Sequence, residues 1–356
     1  MNGKIRVLVV DDSAFMRKTL SIVLSADPEI EVIDFANDGI EAVQKAKGLK
    51  PDIITLDIEM PKMDGLTALQ KIMESAPTPV IMVSSLTSEG AEATLKALEL
   101  GAVDFIPKEK SFISVDMKHV KNGLVTKVKT IVSQARLRKR LEILKSGKIN
   151  SPKEPEPVVS SSRFLPKNDY KAIAIGISTG GPMSLQKVIP KLSSRIDVPI
   201  FLVQHMPPKF TQSLANRLNS LSKLNVKEAE EGELVKGGFV YVAPGGYQMK
   251  LNGTNGNVKI HISENPSDVL HKPSVDVMLD SVINVYGNKT LGVIMTGMGH
   301  DGLEGIKKLK QLGGQCLAQD ETSCVVYGMP KSIVDEGLAD VVAPLDKFPQ
   351  IINMAV

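Results

Sequence analysis

Short apolar runs alternate with segments whose apolar positions recur at helical spacing through the first hundred residues. The order reads IRVLVV, a helix from about Ser13, EVIDFA, a helix near 38–47, DIITLD, a helix near 65–75, PVIMVS, a helix near 88–100, and DFIP. Strand then helix, repeated in this way, predicts a doubly wound parallel sheet. The alternation resumes after residue 167. There KAIAIGISTGGPMSLQKVIPKL reads as a strand, a sharp turn at Ser178 and a helix beginning near Gly181 or Pro182, and VPIFLVQ and LGVIM read as further strands. Between the two regions, the Pro-, Ser- and Lys-rich stretch 145–166 has little to bury and reads as a partly extended linker. The expected organisation is therefore α/β throughout: one domain over 1–144 including a long last helix, a linker over 145–166, and a second domain over 167–356.

Composition changes this picture little. A chain of 356 residues fits about two domains, and 42% apolar with 23% charged residues is ordinary for a globular protein. A net charge of +3 is too small for a nucleic-acid footprint, so no nucleic-acid partner is expected. The basic run Arg136, Arg138, Lys139 and Arg140 reads as a solvated helix face. Cys316 and Cys324 have neither disulfide-framework nor zinc-site spacing and are expected to be packed thiols. The apolar run at 5–10 is too short for a signal-peptide core and no stretch approaches membrane-spanning length, so a cytoplasmic protein without membrane insertion is expected.

In a doubly wound sheet, ligands gather at the carboxyl ends of the strands. In the first domain those ends carry Asp11 and Asp12, Asp57, Ser84 and Lys108. Converging carboxylates repel unless a cation compensates, and oxygen ligands without sulfur or imidazole favour Mg²⁺. A lysine and a hydroxyl beside them suit a transferred phosphoryl group.

The second domain offers G-x-S-x-G as Gly176, Ser178 and Gly180 at a strand-to-helix turn, the context of a nucleophile elbow. A dinucleotide loop is the rival, but Ser178 occupies the middle glycine position and the next strand ends in His205 where an acidic residue is wanted. A serine nucleophile needs a base, and the base needs a carboxylate. Of the histidines 119, 205, 261, 271 and 300, both His205 and His300 follow strands. Either imidazole could serve. Neighbours in the chain such as His300 and Asp301 point at each other with difficulty, which favours His205 as base and Asp301 as its orienter.

The motifs VVDDS, LDIEMPKMDG, VSS and FIPK resemble the receiver domain of two-component response regulators. That resemblance implies a flavodoxin-like fold, Asp57 as phosphoryl acceptor from a chemotaxis histidine kinase, Mg²⁺ held by Asp11, Asp12, Asp57 and the Glu59 carbonyl, and phosphoryl contacts from Ser84 and Lys108. It puts Phe105 at an aromatic switch position. Glu109 stands where many receivers have proline, so no cis peptide is expected after Lys108.

GISTGGP, QHMPPKFT, VKEAEEGE, YVAPGG, HKPSVDVM, TGMGHDG and SCVVYGMP resemble the catalytic domain of the chemotaxis protein-glutamate methylesterase (CheB) family. The resemblance covers nearly the whole chain except the linker. It implies a Rossmann-like α/β domain with Ser178 as nucleophile, His205 as base and Asp301 as orienting carboxylate, needing no cofactor for the esterase step. It further implies an oxyanion pocket of backbone N–H groups from Met298 and Thr179, and substrates that are glutamate methyl esters on methyl-accepting chemotaxis receptors. Deamidation of receptor glutamines follows from the same resemblance, as does a receiver that packs over the cleft until phosphorylated. His300 stands where some relatives have asparagine. The rival readings are a DNA-binding output, which the lack of a basic stripe disfavours, and an adaptor or an esterase for other proteins on the same scaffold.

Overall fold

The computed structural model describes residues 3–108, 117–146, 169–254 and 256–356. Residues 147–166 of the expected linker and the peptide bond after Lys108 lie outside them. The chain divides into two compact units, Met1–Lys148 and Ile149–Val356.

The first unit runs β1 (Ile5–Val10), α1 (Ala14–Ser25), β2 (Ile30–Ala36), α2 (Gly39–Leu49), β3 (Ile53–Asp57), α3 (Gly65–Ser75), β4 (Val80–Ser85), α4 (Ser88–Glu99), β5 (Asp104–Lys108) and α5 (Met117–Ser146). Its sheet is parallel in the order β2-β1-β3-β4-β5, the doubly wound arrangement expected. Central β3, IITLD, is buried at every position, because helices cover both faces. Each of the first four helices starts at a side chain that accepts a backbone N–H three residues on: Ser13, Asp38, Asp64 and Thr87. Gly65 lets α3 begin against the strand carrying Asp57, since a Cβ there would fall 1.9 Å from the Asp57 carbonyl oxygen. On α5, Arg136 is paired with Asp52 at 2.9 Å, while Lys139 and Arg140 are exposed, as a solvated face requires.

The second unit runs β6 (Ala172–Ile177), α6 (Gly181–Val188), β7 (Ile200–Gln204), α7 (Phe210–Leu221), β8 (Asn225–Glu228), β9 (Phe239–Val242), β10 (Gln248–Asn252), β11 (Lys259–Ser263), α8 (Val275–Tyr286), β12 (Thr290–Ile294), α9 (Leu303–Gln311), β13 (Gln315–Gln319), α10 (Met329–Asp335), β14 (Val341–Ala343) and α11 (Phe348–Ala355). Its seven-stranded parallel sheet has the order β14-β13-β12-β6-β7-β9-β8. The chain starts in the middle at β6, winds out through β7, and returns at β12 on the other side. The order therefore reverses between β6 and β12, where a doubly wound sheet opens a crevice at its carboxyl edge. One feature breaks the alternation read from the sequence: β10 and β11 form a separate antiparallel pair. Their apolar residues Met249, Leu251 and Ile260, with Val258 just ahead of β11, join the core that includes Val275, Met278 and Leu279 of α8. Cys316 and Cys324 are both buried and not disulfide-bonded, and burial pushes the Cys316 thiol well above the ordinary range. No helix among the described residues is long and apolar enough to cross a membrane.

Candidate active site and carboxylate cluster

Ser178 and His205 are each the first residue past a strand. The register pairs Ile177 with Gln204, so the two follow side by side on β6 and β7. The His205 N–H donates to the Ile177 carbonyl at 3.2 Å and the Ser178 N–H to the Thr296 carbonyl at 3.0 Å, which ties the serine to the chain leaving β12 as well. The turn that follows is made by Gly180, at φ +75°, where an added Cβ would also lie 2.4 Å from Val325 side-chain carbons. Ser178 itself is not in the left-handed region, so the turn expected at the serine is taken two residues later, by a glycine that adopts it without strain. Gln204 backs the turn, donating from Nε2 to the Ser178 carbonyl at 3.0 Å.

Asp301 lies in the loop between β12 and α9, and its Oδ2 meets His205 Nε2 at 2.7 Å, with both side chains 9% exposed. The carboxylate is also gripped by the start of α8. Ser274 donates its hydroxyl to Oδ1 at 2.9 Å, Val275 N–H donates to Oδ2 at 2.7 Å, and Asp276 N–H donates to Oδ1 at 3.0 Å. Burial alone would raise the Asp301 carboxyl. The hydrogen bond and charge of His205, with the two α8 N–H groups, outweigh it and hold the group well below the usual carboxylate range. Asp276, beside it, receives the Gly305 N–H at 2.7 Å. Burial is the main cause that pushes it up to about 6, and the Asp301 charge adds to it.

With Nε2 facing Asp301, the other ring nitrogen of His205 is buried and has no hydrogen-bond partner among the described residues. The serine–histidine hydrogen bond is thus not made here, a common condition of sites without substrate. His300 is exposed and forms no part of this constellation, so the imidazole that reaches Asp301 is His205. His261 pairs instead with Glu231 at 3.2 Å, and the side chain of His119 lies outside the described residues.

Gly297 was not singled out by sequence pattern, yet it controls the approach to the serine. A Cβ there would lie 2.8 Å from Ser178 Cβ and 2.3 Å from Met329 Sδ. Only a bare backbone fits, and Met298 follows Gly297 in the same loop. Thr179 is buried, and its carbonyl accepts the Thr296 hydroxyl at 3.0 Å. Ser274 lay within the motif HKPSVDVM, but nothing local disclosed that its helix would cap Asp301.

In the first unit, Asp11, Asp12 and Asp57 each present a carboxylate oxygen, and these atoms lie within 4.8 Å of one another. Lys108 reaches Asp57 Oδ2 at 2.7 Å and Asp11 Oδ2 at 3.2 Å. Those two buried oxygens meet the ammonium as ion pairs but accept no directed hydrogen bond among the described residues. Burial pushes the Asp57 carboxyl up to about 6; Lys108 opposes this and the Asp11 charge adds to it. Burial would lower the Lys108 ammonium, but Asp57 and Asp11 hold it above its ordinary value. Hard oxygen donors with under-satisfied buried lone pairs fit a divalent cation such as Mg²⁺. Glu59 is exposed and its carboxylate is not in the cluster, consistent with an expectation that concerned its carbonyl alone. Ser84 is buried at the end of β4, but its hydroxyl sits 2.7 Å from that of Thr94 and 3.1 Å from the Gly90 carbonyl, toward α4 rather than Asp57. Phe105 is buried on β5.

Comparison with known proteins agrees with this division. The CheB methylesterase family pattern matches residues 173–352, and the response regulator receiver domain pattern matches residues 7–115. The protein-glutamate methylesterase/protein-glutamine glutaminase of Pyrococcus abyssi is 47% identical over 353 residues, 99% of this chain and 94% of that protein. The protein of the same name from Lawsonia intracellularis is 49% identical over 355 residues, 99% of each chain. The crystal structure of the Thermotoga maritima CheB methylesterase catalytic domain is 49% identical with a TM-score of 0.51, and covers 52% of this chain and 99% of that one. The chain belongs to the CheB methylesterase family and carries a response regulator receiver domain ahead of its methylesterase unit.

Proposed function

We propose that this protein hydrolyses glutamate γ-methyl esters on methyl-accepting chemotaxis receptors, releasing methanol, and deamidates receptor glutamines by the same acyl transfer. The observation that carries the reading is the 2.7 Å contact of His205 with Asp301 at the carboxyl edge where Ser178 leaves β6. Asp301, kept ionised by α8, accepts the Nε2 proton of His205, which leaves Nδ1 with the free lone pair. In the mechanism, Nδ1 takes the Ser178 proton as Oγ attacks the ester carbonyl carbon. The oxyanion that forms is stabilised by backbone N–H groups of Met298 and Thr179. Collapse breaks the bond to methoxide, which leaves with the proton from His205 as methanol. Water then attacks the acyl-enzyme, giving its proton to His205 and regenerating Ser178. With a glutamine substrate the leaving group is ammonia. No metal takes part in these steps.

The receiver unit regulates this activity through phosphorylation of Asp57 by a histidine kinase. Asp11, Asp12 and Asp57, with the Glu59 carbonyl, would hold Mg²⁺, which when bound neutralises charge on the transferred phosphoryl group. Lys108 contributes a second positive charge, and Ser84 reaches the phosphoryl oxygens by turning its hydroxyl from α4. A cytoplasmic site of action follows from the substrate, since the methylated glutamates lie on receptor cytoplasmic helices.

The test is methanol release from a methylated receptor preparation with and without Mg²⁺ and a small phosphodonor. Ser178→Ala should lower release by about 10³-fold or more, and Asp57→Asn should abolish the stimulation by phosphodonor. Full release by Ser178→Ala would overturn the nucleophile assignment; undiminished stimulation in Asp57→Asn would overturn control through that residue.

A further inference from the structure

Strand β7 reads IFLVQ, apolar up to a final glutamine that is 2% exposed. An amide buried there costs stability unless it is hydrogen-bonded, and an apolar side chain would be the cheaper occupant. The Gln204 Nε2 donates to the Ser178 carbonyl at 3.0 Å and to the His205 carbonyl at 3.3 Å. A single amide thus joins the backbone of the assigned nucleophile to that of the assigned base. It can face only one way, because turning it over would set Oε1 against two carbonyl oxygens. Oε1 lies instead at the start of α6, where a Cβ added to Gly181 would fall 1.8 Å from it. That oxygen accepts no hydrogen bond among the described residues, so the side chain is a poor choice for stability alone.

What the two bonds fix is direction. Within the turn, the Gly181 N–H already donates to the Ser178 carbonyl at 2.8 Å, which ties the serine peptide to α6 but not to the strand that ends in His205. Gln204 supplies that second tie. The peptide joining Ser178 to Thr179 is trans, so its N–H points opposite to its carbonyl. A donor that holds the carbonyl therefore also aims the Thr179 N–H, the group assigned to the oxyanion. That N–H has no acceptor among the described residues. Small misplacements of reacting groups and oxyanion donors lower the rate steeply.

We propose that Gln204 is a positioning residue for the hydrolysis, its amide the clamp that holds the Ser178–Thr179 peptide and the His205 backbone in one fixed relation. The proposal rests on the Ser178–His205–Asp301 reading with Thr179 as an oxyanion donor. It assigns Gln204 no contact with substrate and no proton to carry.

The experiment compares the full chain with its Gln204→Met and Gln204→Glu variants, in Mg²⁺ and a small phosphodonor, by methanol release from methylated receptor membranes. Reactive serines are counted in each with a fluorophosphonate probe, so that rates refer to folded sites. Methionine is of similar length and gives no hydrogen, whereas a glutamic acid kept neutral by burial, at about pH 6, gives one where the amide gives two. Gln204→Met should lose about 10-fold in kcat per titrated serine at unchanged KM, less than the loss of an oxyanion donor because the Gly181 N–H still holds the carbonyl. Gln204→Glu should fall between the two, about 3-fold below the parent. The idea is overturned if Gln204→Met matches the parent, if its loss lies wholly in KM or in the number of titrated serines, or if Gln204→Glu falls as far as Gln204→Met. Methanol release that survives Ser178→Ala, with Gln204 untouched, would instead bring down the triad reading and this proposal with it.

Discussion

Asp57 and Asp301 occupy similar places at the carboxyl edge of a parallel sheet, Asp57 buried and Asp301 partly buried, and the protein treats their charges in opposite ways. Asp57 is pushed up to about 6 because burial and the Asp11 charge outweigh the single ammonium of Lys108. Asp301 is held far below the ordinary range because His205 and the first N–H groups of α8 outweigh burial. The first site has a deficit of positive charge, which the proposed Mg²⁺ would offset. The second is satisfied within the chain, the condition of a residue whose task is to stay ionised while a neighbouring imidazole changes charge. Similar folds supply the positions, and the local count of donors decides the role.

The largest effect that would sharpen this contrast comes from Asp301→Asn. It keeps the shape but removes the charge that selects the Nε2–H tautomer of His205, so kcat for methanol release should fall by about 10³- to 10⁴-fold. A fall of less than 10-fold or so would mean that His205 does not depend on that carboxylate. Next is the cation. Calorimetry of the full chain should show the receiver transition stabilised by about 2.7 kcal/mol when Mg²⁺ is at 100 times its Kd, with the catalytic transition unmoved. Asp11→Asn should remove most of the effect, and a shift of the catalytic transition instead would reverse the assignment of the two sites.

A smaller effect follows from linkage. Asp57 binds its proton more tightly folded (about 6) than unfolded (3.8), so its ionisation costs stability as pH rises between those values. Metal-free Asp57→Asn should therefore be more stable than the parent by about 1–2 kcal/mol at pH 7, an advantage that shrinks as pH falls from about 6 to about 4. Asp301 has the opposite sign: its contribution is present above its unfolded value and is lost in acid. A parent receiver that gained stability on raising pH through this window would break the comparison. The smallest effect is that of Ser274→Ala, which removes one of the hydrogen bonds to Asp301 and the cap of α8. The catalytic transition should lose about 1 kcal/mol, with a loss of activity of a few-fold rather than the loss seen on removing the carboxylate.

Much of this was legible in the chain. Strands as short and apolar as IRVLVV and AIAIGI can be buried only between two helical layers, so alternation alone settled the fold class and put Asp57, Ser178 and His205 at carboxyl ends. The helices expected near 38–47 and 65–75 begin in the structure at Asp38 and Asp64, whose side chains satisfy N–H groups within three residues, a local matter. The order of strands decided what sequence left open. Only the placement of β12 beside β6 brings the loop of Asp301 to a histidine nearly a hundred residues earlier, and that contact, with the exposure of His300, selects His205. The motifs HKPSVDVM and TGMGHDG were legible, but the cap of α8 on Asp301, the close approach at Gly297 and the stacking of the His271 ring on that of His205 were not, nor was the β10–β11 pair. Periodicity and capping are written in neighbouring residues, whereas the state of a buried charge depends on which distant donors the folded chain brings to it.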